Sequence, residues 1–352
     1  MRGALPLLAV TLGDPHGVGP EVALKALTSL RVRRAARCVA VGRPEDLEAA
    51  ACVCGIAVTL REVTAQAVGE WQDEAIAVVP AGQPPKGARA YGTVAAAAGQ
   101  AALESIRAAV NMAMAGVVAG VVTAPINKEA VRLAGCPYPG HTELLAHLTG
   151  ASTTRMMLVA KGLRVVHNST HLSLRAACDA VTTERVLCTI RLAHRAAREM
   201  GIAEPRVGVA GLNPHAGESG LFGLEEQEQI APAVAAARVD GIDAVGPVPP
   251  DTIFAQARAG AYHVVVAMYH DQGHIPVKTL GFEPARGAGE GGRRWSAVAG
   301  VNVTLGLPII RTSVDHGTAF DIAGRGVARA DSMVDAILLA AAMARRRKAA
   351  LP

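Results

Sequence analysis

Short runs of apolar residues, many of them β-branched, alternate along this chain with Ala-rich stretches of helical length. This alternation predicts an α/β fold with a largely parallel sheet, because parallel strands joined by helices are buried on both faces and read as continuous apolar runs. The predicted strands lie near 5–11, 37–41, 116–123, 155–160, 164–168, 206–210, 262–269 and 307–311. The predicted helices lie near 20–30, 93–113, 182–200, 224–238 and 331–348.

Composition narrows the class of protein. The 352 residues suit two domains of ordinary size, each able to bury its own core. Aromatic residues make up only 3% and the net charge is +5, so the chain lacks the basic, aromatic-rich surface of a nucleic-acid-binding protein. Six scattered cysteines without CxxC spacing indicate free thiols in a reducing cytoplasm. No apolar run reaches the ~18 residues of a membrane span, so we expect a cytoplasmic protein without membrane partners.

The segment MYHDQGHIPVK, residues 268–278, follows the apolar run 264–267 directly. It carries His270, Asp271, His274 and Lys278. In open α/β sheets ligands bind just beyond the carboxyl ends of the strands, so these side chains stand where function is usually found. The alternative is a polar loop with incidental histidines.

Three histidines share this kind of position. His171 follows the predicted strand 164–168, His215 follows 206–210, and His270 follows 262–269. Three imidazoles are a common ligand set for a divalent metal that keeps an open position. Their spacing carries no metal fingerprint, and each of them alone could instead be a structural histidine.

Basic and polar side chains also follow other predicted strands. Lys128 comes shortly after the strand 116–123, and His141 and Thr142 stand before a helix. Asn302 and Arg311 flank the predicted strand 307–311. A lysine can bind a carboxylate or assist proton transfer, and an arginine can bind a phosphate or carboxylate with two hydrogen bonds. A capped helix at Thr142 is the alternative for that segment.

Two Gly-rich turns are candidates for cofactor binding. Residues 11–21, TLGDPHGVGPE, form a loop before a helix whose free amide groups attract anions, although the loop matches neither GxGxxG nor a Walker motif. The turn after Arg311 carries His316, Thr318 and Asp321. The carboxylate of Asp321 would accept hydrogen bonds from ribose hydroxyls and repel a 2′-phosphate. Ordinary polar turns are the alternative for both segments.

Taken together, these segments resemble the PdxA family of 4-hydroxythreonine-4-phosphate dehydrogenases over almost the whole chain. The blocks that carry the resemblance are TLGDPHGVGPE, TAPINK, PGHTELLA, STHLSL, GLNPHAGESGLFG, GPVPPDTIF, YHDQGHIPVK and GVNVTLGLPIIRTSVDHGTAFDIAG. The family is similar in turn to isocitrate and isopropylmalate dehydrogenases, whose cofactor segment looks like HGTAFDIAGRGVARA in this chain. The resemblance implies two three-layer α/β domains with the active site in the cleft between them. We expect a discontinuous domain of residues 1–125 and 300–352 and a central domain of residues 126–299.

The resemblance also implies roles for particular residues. The metal ligands would be His171, His215 and His270, with His270 reaching the site from the other subunit of a homodimer. Zinc is the expected metal, with magnesium, manganese, cobalt and nickel as alternatives. The residues that would bind the phosphorylated substrate are His141, Thr142, Lys278, Asn302 and Arg311. The residues that would bind NAD are Gly13, Asp14, His316, Gly317, Thr318 and Asp321, the acidic side chain favouring NAD over NADP.

The implied chemistry is hydride transfer to NAD from the C3 carbinol of a four-carbon 4-phosphorylated 3-hydroxy acid, followed by decarboxylation. A bound metal would lower the pKa of the hydroxyl and polarise the new ketone. Lys128 is the candidate for assisting the proton transfers, and Asp271 is a candidate catalytic residue that would act as an orienting partner.

Some motifs depart from those of a biosynthetic member of the family. HDQGHIPVK and HGTAFDIAG look more like the branch that acts on D-erythronate or D-threonate 4-phosphate. His16 is similar to a feature of terephthalate cis-dihydrodiol dehydrogenases, which act on an unphosphorylated diol. A non-catalytic sensor of sugar-acid phosphates is an alternative of another class. An insertion of roughly fifteen residues relative to the family, between Lys278 and Asn302, is expected to be a lid or a surface loop.

Overall fold

The strands and helices of a computed structural model are described here for residues 5–69, 71, 74–83, 89–281, 283–284, 295–296 and 300–349. The strands in chain order are β1 (Leu7–Thr11), β2 (Arg37–Gly42), β3 (Leu60–Glu62), β4 (Ile76–Pro80), β5 (Gly120–Thr123), β6 (Arg155–Ala160), β7 (Leu163–His167), β8 (Val207–Ala210), β9 (Ala244–Val248), β10 (Val264–Ala267), β11 (Glu283–Pro284), β12 (Trp295–Ser296), β13 (Val301–Leu305) and β14 (Arg311–Val314).

The α-helices in chain order are α1 (Gly19–Leu27), α2 (Leu30–Arg33), α3 (Pro44–Cys54), α4 (Ala96–Met114), α5 (Lys128–Leu133), α6 (His141–Thr149), α7 (Leu174–Asp179), α8 (Thr183–Glu199), α9 (Ala231–Val239), α10 (Ile253–Arg258), α11 (His270–Gly281) and α12 (Asp331–Ala349). A π-helical turn, Glu226–Ile230, leads directly into α9. In the part of the chain that the structure describes, no helix is both long and apolar enough to cross a membrane.

The chain divides into two compact units, the first formed by Met1–Thr153 with Leu307–Pro352 and the second by Thr154–Gly306. The boundaries at 153/154 and 306/307 fall later in the chain than the expected ones near 125 and 300. Both units consist of strands and helices, which confirms the predicted α/β class.

The first unit contains a parallel array of strands in the order β3-β4-β2-β1-β5-β14. Residues of β1, β2 and β5 are almost all fully buried, as their apolar runs predict. Because parallel strands end at the same edge of a sheet, the loops after β1, β5 and β14 leave from neighbouring points.

The second unit orders its strands β13-β6-β7-β10-β8-β9. Here β6 runs antiparallel to both β13 and β7, whereas β7, β10, β8 and β9 are parallel. All four residues of β10 are buried. The two-residue strands β11 and β12 pair with each other; the rest of the segment 282–299, including Arg286, Arg293 and Arg294 of the insertion, lies outside the described residues.

The structure corrects two predictions of local structure. The segment after β10 is not a loop, because α11 begins at His270 and contains Pro276. Gly273 and Pro276 both disfavour helix, which hid it from a sequence pattern. The strand predicted near 307–311 is also wrong: β13 ends at Leu305 and β14 begins at Arg311.

A close helix contact fixes the start of α5, where Lys128 stands. A β-carbon added at Gly99 of α4 would collide with the backbone carbonyl of Ala130 in α5. Backbone atoms cannot rotate away as a side chain can, so we expect Gly99→Ala to lower the free energy of unfolding by about 2 to 3 kcal/mol, despite the better helix propensity of alanine. Urea denaturation measures this difference. Gly69→Ala is the control, since a β-carbon there meets nothing within 4 Å, and equal stability of the two variants would contradict the packing argument.

Candidate active site

Three neighbouring parallel strands of the second unit each lead to one of the predicted metal ligands. β10 lies between β7 and β8, and the loops or helices that follow these strands carry His270, His171 and His215 respectively. The carboxyl ends of the three strands meet at one edge. The structure therefore brings the three predicted ligand segments to the same edge of the second unit.

A buried amide joins the ends of these strands. The Oε1 atom of Gln272 accepts a hydrogen bond of 2.6 Å from the backbone N–H of Met268, and its Nε2 donates one of 2.8 Å to the carbonyl of Gly211. Ser169 Oγ donates to the carbonyl of Met268 over 3.0 Å. Gln272, Ser169 and Met268 are all buried. The start of α11 is thereby fixed to the segments after β7 and β8.

His171 and His270 lie close together. Their ring centroids are 6.2 Å apart, and both line a cavity of about 340 Å³ with Leu172, Leu174 and Tyr269. His270 Nδ1 lies 2.7 Å from Asp271 Oδ1. A carboxylate at Nδ1 favours the tautomer with the proton there, and this leaves the Nε2 lone pair available for a metal. The contact places the Asp271 carboxylate where it can orient the His270 ring.

His215 stands on a turn of unusual chirality. Residues 215–219 all have positive φ, with 52° at His215, 57° at Ala216 and 44° at Glu218. The left-handed region is unfavourable for residues other than glycine. Glu226 stabilises the start of the turn, because its carboxylate accepts hydrogen bonds of 2.7 Å from the backbone N–H groups of Leu212 and Asn213. Such strain is typical of functional sites.

The donor chemistry of this region fits a divalent metal, because neutral imidazoles with an oriented Nδ1 are good ligands for zinc and its neighbours. Among the described residues of one chain, no three His, Cys, Asp or Glu side chains come close enough together to form a metal site.

Two further histidines, one of them absent from the sequence prediction, belong to this cluster. His167, the last residue of β7, lies 4.6 Å from His274 between ring centroids, and His274 stacks on His270 at 3.6 Å. Burial, with a smaller contribution from the neighbouring imidazoles, lowers the pKa of His167 to about 3 and that of His274 to about 4. A histidine at the end of an otherwise apolar strand was the available signal for His167.

In the first unit, predicted substrate residues gather around a buried arginine. Arg311, the first residue of β14, is 3% exposed, and its Nη2 donates a hydrogen bond of 2.6 Å to Thr123 Oγ1 at the end of β5. Burial lowers the pKa of His141 well below its usual value, and the positive charges of Arg311 and Lys128 lower it further. The structure thus places a neutral imidazole close enough to two cations for both charges to affect it.

The remaining predicted substrate residues are distributed over both units. Thr142 is in the first turn of α6 beside His141. In the second unit, Lys278 lies on α11, and Asn302 lies on β13 with a buried Oδ1 atom that has no hydrogen-bond partner among the described residues. An unsatisfied buried amide oxygen is a candidate for ligand contact.

The two predicted cofactor segments contact each other within the first unit. The backbone N–H of Val18 donates a hydrogen bond of 2.9 Å to the carbonyl of Thr318. Gly13 has φ of 69°, and a β-carbon there would collide with the carbonyl of Pro125. Asp14 is fully buried, and burial raises the pKa of its carboxyl. Its Oδ1 accepts from the backbone N–H of His16, whereas Oδ2 has no partner in the described part of the chain.

The turn after β14 presents the other cofactor candidates. Gly317 and Asp321 are exposed, while His316 and Thr318 are half-buried. A third segment, which the sequence prediction missed, packs against these two: the ring of Tyr91 lies against Gly324, and the carbonyl of His16 accepts a hydrogen bond of 2.9 Å from Gly92. These contacts join residues far apart in sequence, so no local sequence motif predicts them.

Comparisons with known proteins identify the family of this chain. A family model described as pyridoxal phosphate biosynthetic protein PdxA matches residues 34–340. The chain belongs to the PdxA family. The predicted family resemblance is therefore confirmed.

Similar full-length proteins carry two different substrate names. D-threonate 4-phosphate dehydrogenase of Cupriavidus necator is 45% identical over 348 residues, which cover 99% of this chain and 100% of that protein. 4-Hydroxythreonine-4-phosphate dehydrogenase of Beijerinckia indica is 48% identical over 326 residues, 93% of this chain and 91% of that one. The crystal structure of the enzyme of the same name from Klebsiella pneumoniae matches with a TM-score of 0.83 and 45% identity, over 98% of this chain and 99% of that chain.

The burial of His167 predicts acid sensitivity. The pKa of His167 is lowered from 6.5 to about 3 in the folded protein, so below pH 6.5 the unfolded chain binds the proton that the folded chain excludes. Stability is therefore lost as the pH falls from 6.5 toward 3. We expect the loss of unfolding free energy between about pH 7 and pH 5 to be smaller by about 2 kcal/mol in His167→Gln than in the unchanged protein. Urea denaturation at both pH values measures it.

Ser169→Ala is the matched control for this experiment, because it removes a neighbouring buried hydrogen bond without a titratable group. It should lower stability by the same amount at both pH values. An unchanged pH dependence in His167→Gln would show that the imidazole is not held neutral by burial.

Proposed function

We propose that this protein is a dehydrogenase that uses NAD to oxidise the C3 hydroxyl of D-threonate 4-phosphate or of its C2 epimer D-erythronate 4-phosphate, with loss of carbon dioxide. 4-Hydroxy-L-threonine 4-phosphate, which carries an amino group at C2, is the alternative substrate. The proposal rests on membership of the PdxA family and on the names of the similar proteins.

The observation that supports an anionic substrate is the cluster of Arg311, Lys128 and neutral His141. A buried guanidinium retains its charge at neutral pH even where burial lowers its pKa, and it offers paired N–H donors to phosphate or carboxylate. The uncharged His141 near these cations can donate a hydrogen bond without adding repulsion. This arrangement supports a substrate with an anionic group, such as a phosphorylated acid.

The nicotinamide cofactor is assigned to the first unit. The residues proposed to contact it are Gly13, Asp14, His316, Gly317, Thr318 and Asp321. The exposed carboxylate of Asp321 can accept from ribose hydroxyls and would repel a 2′-phosphate, which supports NAD over NADP. The amide groups at the start of α1 favour the negative charge of a pyrophosphate.

The proposed reaction balances without a further reactant. The hydrogen on C3 leaves as hydride to the nicotinamide ring, and the hydroxyl proton leaves to a base that Lys128 assists. The product ketone is β to the C1 carboxylate, so the C1–C2 bond can break, releasing carbon dioxide, and C2 then takes up a proton. A divalent metal at His171, His215 and His270 would supply Lewis acidity toward the hydroxyl and the ketone.

We propose a homodimer in which His270 completes the metal site of the partner subunit, as the family resemblance implies. A shared site is consistent with the absence of a three-ligand group among the described residues of a single chain. The exposed side chains of Leu172 and Leu174, 48% and 62% exposed beside His171, support a contact surface near the cluster.

Substrate oxidation is tested by NADH formation with purified, zinc-supplemented protein. We expect turnover with D-threonate or D-erythronate 4-phosphate and a lower kcat/KM with 4-hydroxy-L-threonine 4-phosphate. A reversed order would assign the amino-acid substrate. Turnover solely of a cis-dihydrodiol dicarboxylate would overturn the phosphate assignment, and tight binding of the acids without NADH formation would indicate a sensor.

The anion-binding role of Arg311 predicts a specific defect. Arg311→Lys keeps one positive charge but loses the planar pair of donors, so we expect KM for the phosphorylated acid to rise about 10- to 100-fold, equivalent to about 1.4 to 2.8 kcal/mol. Initial-rate kinetics measure this change. Arg329→Lys is the control, because Arg329 is exposed and pairs with Asp331; an equal KM in both variants would remove Arg311 from the substrate site.

A further inference from the structure

One face of α11 carries residues of different proposed functions in regular succession. His270, His274 and Lys278 are spaced four residues apart, so they lie one above the other along the helix. His270 is a proposed metal ligand and Lys278 a proposed phosphate contact. His274 stands between them and has no role in the proposed function.

The ring of His274 lies flat against the ring of His270. Their centroids are 3.6 Å apart and their planes differ by 11°. The His270 side chain is 38% exposed, and the His274 ring packs against one face of its imidazole. A stacked neighbour restricts the rotation of a partly exposed ring and reduces the conformational entropy lost when it binds a ligand.

His274 is itself held from two directions. Its Nδ1 donates a hydrogen bond of 3.0 Å to the carbonyl of His270. Behind it lies the ring of His167, at 4.6 Å between centroids and buried completely. Gly273 permits this approach, because a β-carbon there would collide with His167 Nε2. The stack is therefore anchored in β7, which belongs to the core.

We infer that His274, backed by His167, is a positioning residue that fixes the ring of His270 for metal binding. This inference rests on the proposed metal site. Asp271 sets the rotation of the His270 ring through Nδ1, and His274 sets the plane of the ring. Together the two contacts leave Nε2 as the edge directed away from them.

The test is the affinity of the full-length, metal-stripped protein for Zn²⁺, measured by competition with a chromophoric chelator. His274→Leu removes the stacked ring and is expected to weaken Zn²⁺ binding about 10- to 100-fold, the range found when an orienting partner of a metal ligand is removed. His274→Phe keeps a ring without the nitrogen atoms and should recover most of the affinity. His274→Asn keeps a donor in the place of Nδ1 without the ring and should not.

Two other variants complete the design. His167→Leu should weaken Zn²⁺ binding less than His274→Leu, and adding it to His274→Leu should have no further effect, because His167 acts through His274. His194→Leu is the control for loss of a histidine, since His194 lies on α8 outside the cluster. It should bind Zn²⁺ like the unchanged protein.

A measurement without metal separates this inference from the metal assignment. In ¹⁵N-histidine-labelled apo-protein, the ring signals of His270, assigned with His270→Gln, should shift in His274→Leu and return toward their original positions in His274→Phe. Unchanged signals and unchanged Zn²⁺ affinity in His274→Leu would overturn the positioning role. If the signals shift in His274→Leu but His171→Ala leaves Zn²⁺ binding unchanged, His274 positions the His270 ring and the metal assignment is overturned instead.

Discussion

The second unit depends on the buried amide of Gln272. With one oxygen and one nitrogen it binds the backbone at the end of β10 and the backbone after β8. Losing it would leave buried backbone groups of Met268 and Gly211 without these partners, a loss of about 1 to 3 kcal/mol each. In addition, the segments after β8 and β10, which carry the two histidines, would no longer be joined by this side chain. The segments that carry His215 and His270 are thus joined by a side chain whose two hydrogen bonds go to the backbone of Met268 and Gly211.

The first unit uses burial to control charge. His141 is uncharged because desolvation and the two neighbouring cations oppose its protonation. Asp14 is buried with one oxygen lacking a hydrogen-bond partner among the described residues, and its pKa is raised. Groups held away from their usual protonation behaviour concentrate where ligands bind. Electrostatics and chain topology therefore point to the same edge of the first unit.

The sequence predicts much of the fold and the segments of the candidate site. Continuous apolar runs such as 264–267 predict buried parallel strands, and polar residues placed just after them predict site segments. The helical state of 270–281 could not be predicted, because Gly273 and Pro276 oppose it and tertiary hydrogen bonds override them. The contact of the His167 ring with the His274 ring joins residues that are distant in sequence, so pattern analysis of either segment misses it.

The left-handed turn at 215–219 restricts the stage of folding at which the candidate site can form. Four of its five residues carry side chains, and the left-handed conformation costs about 1 to 2 kcal/mol for each of them. An isolated peptide would therefore not adopt this left-handed conformation. The turn can form only after Glu226 and the strands beside it have packed. The segment that presents His215, one of the proposed metal ligands, is consequently complete only in the folded protein.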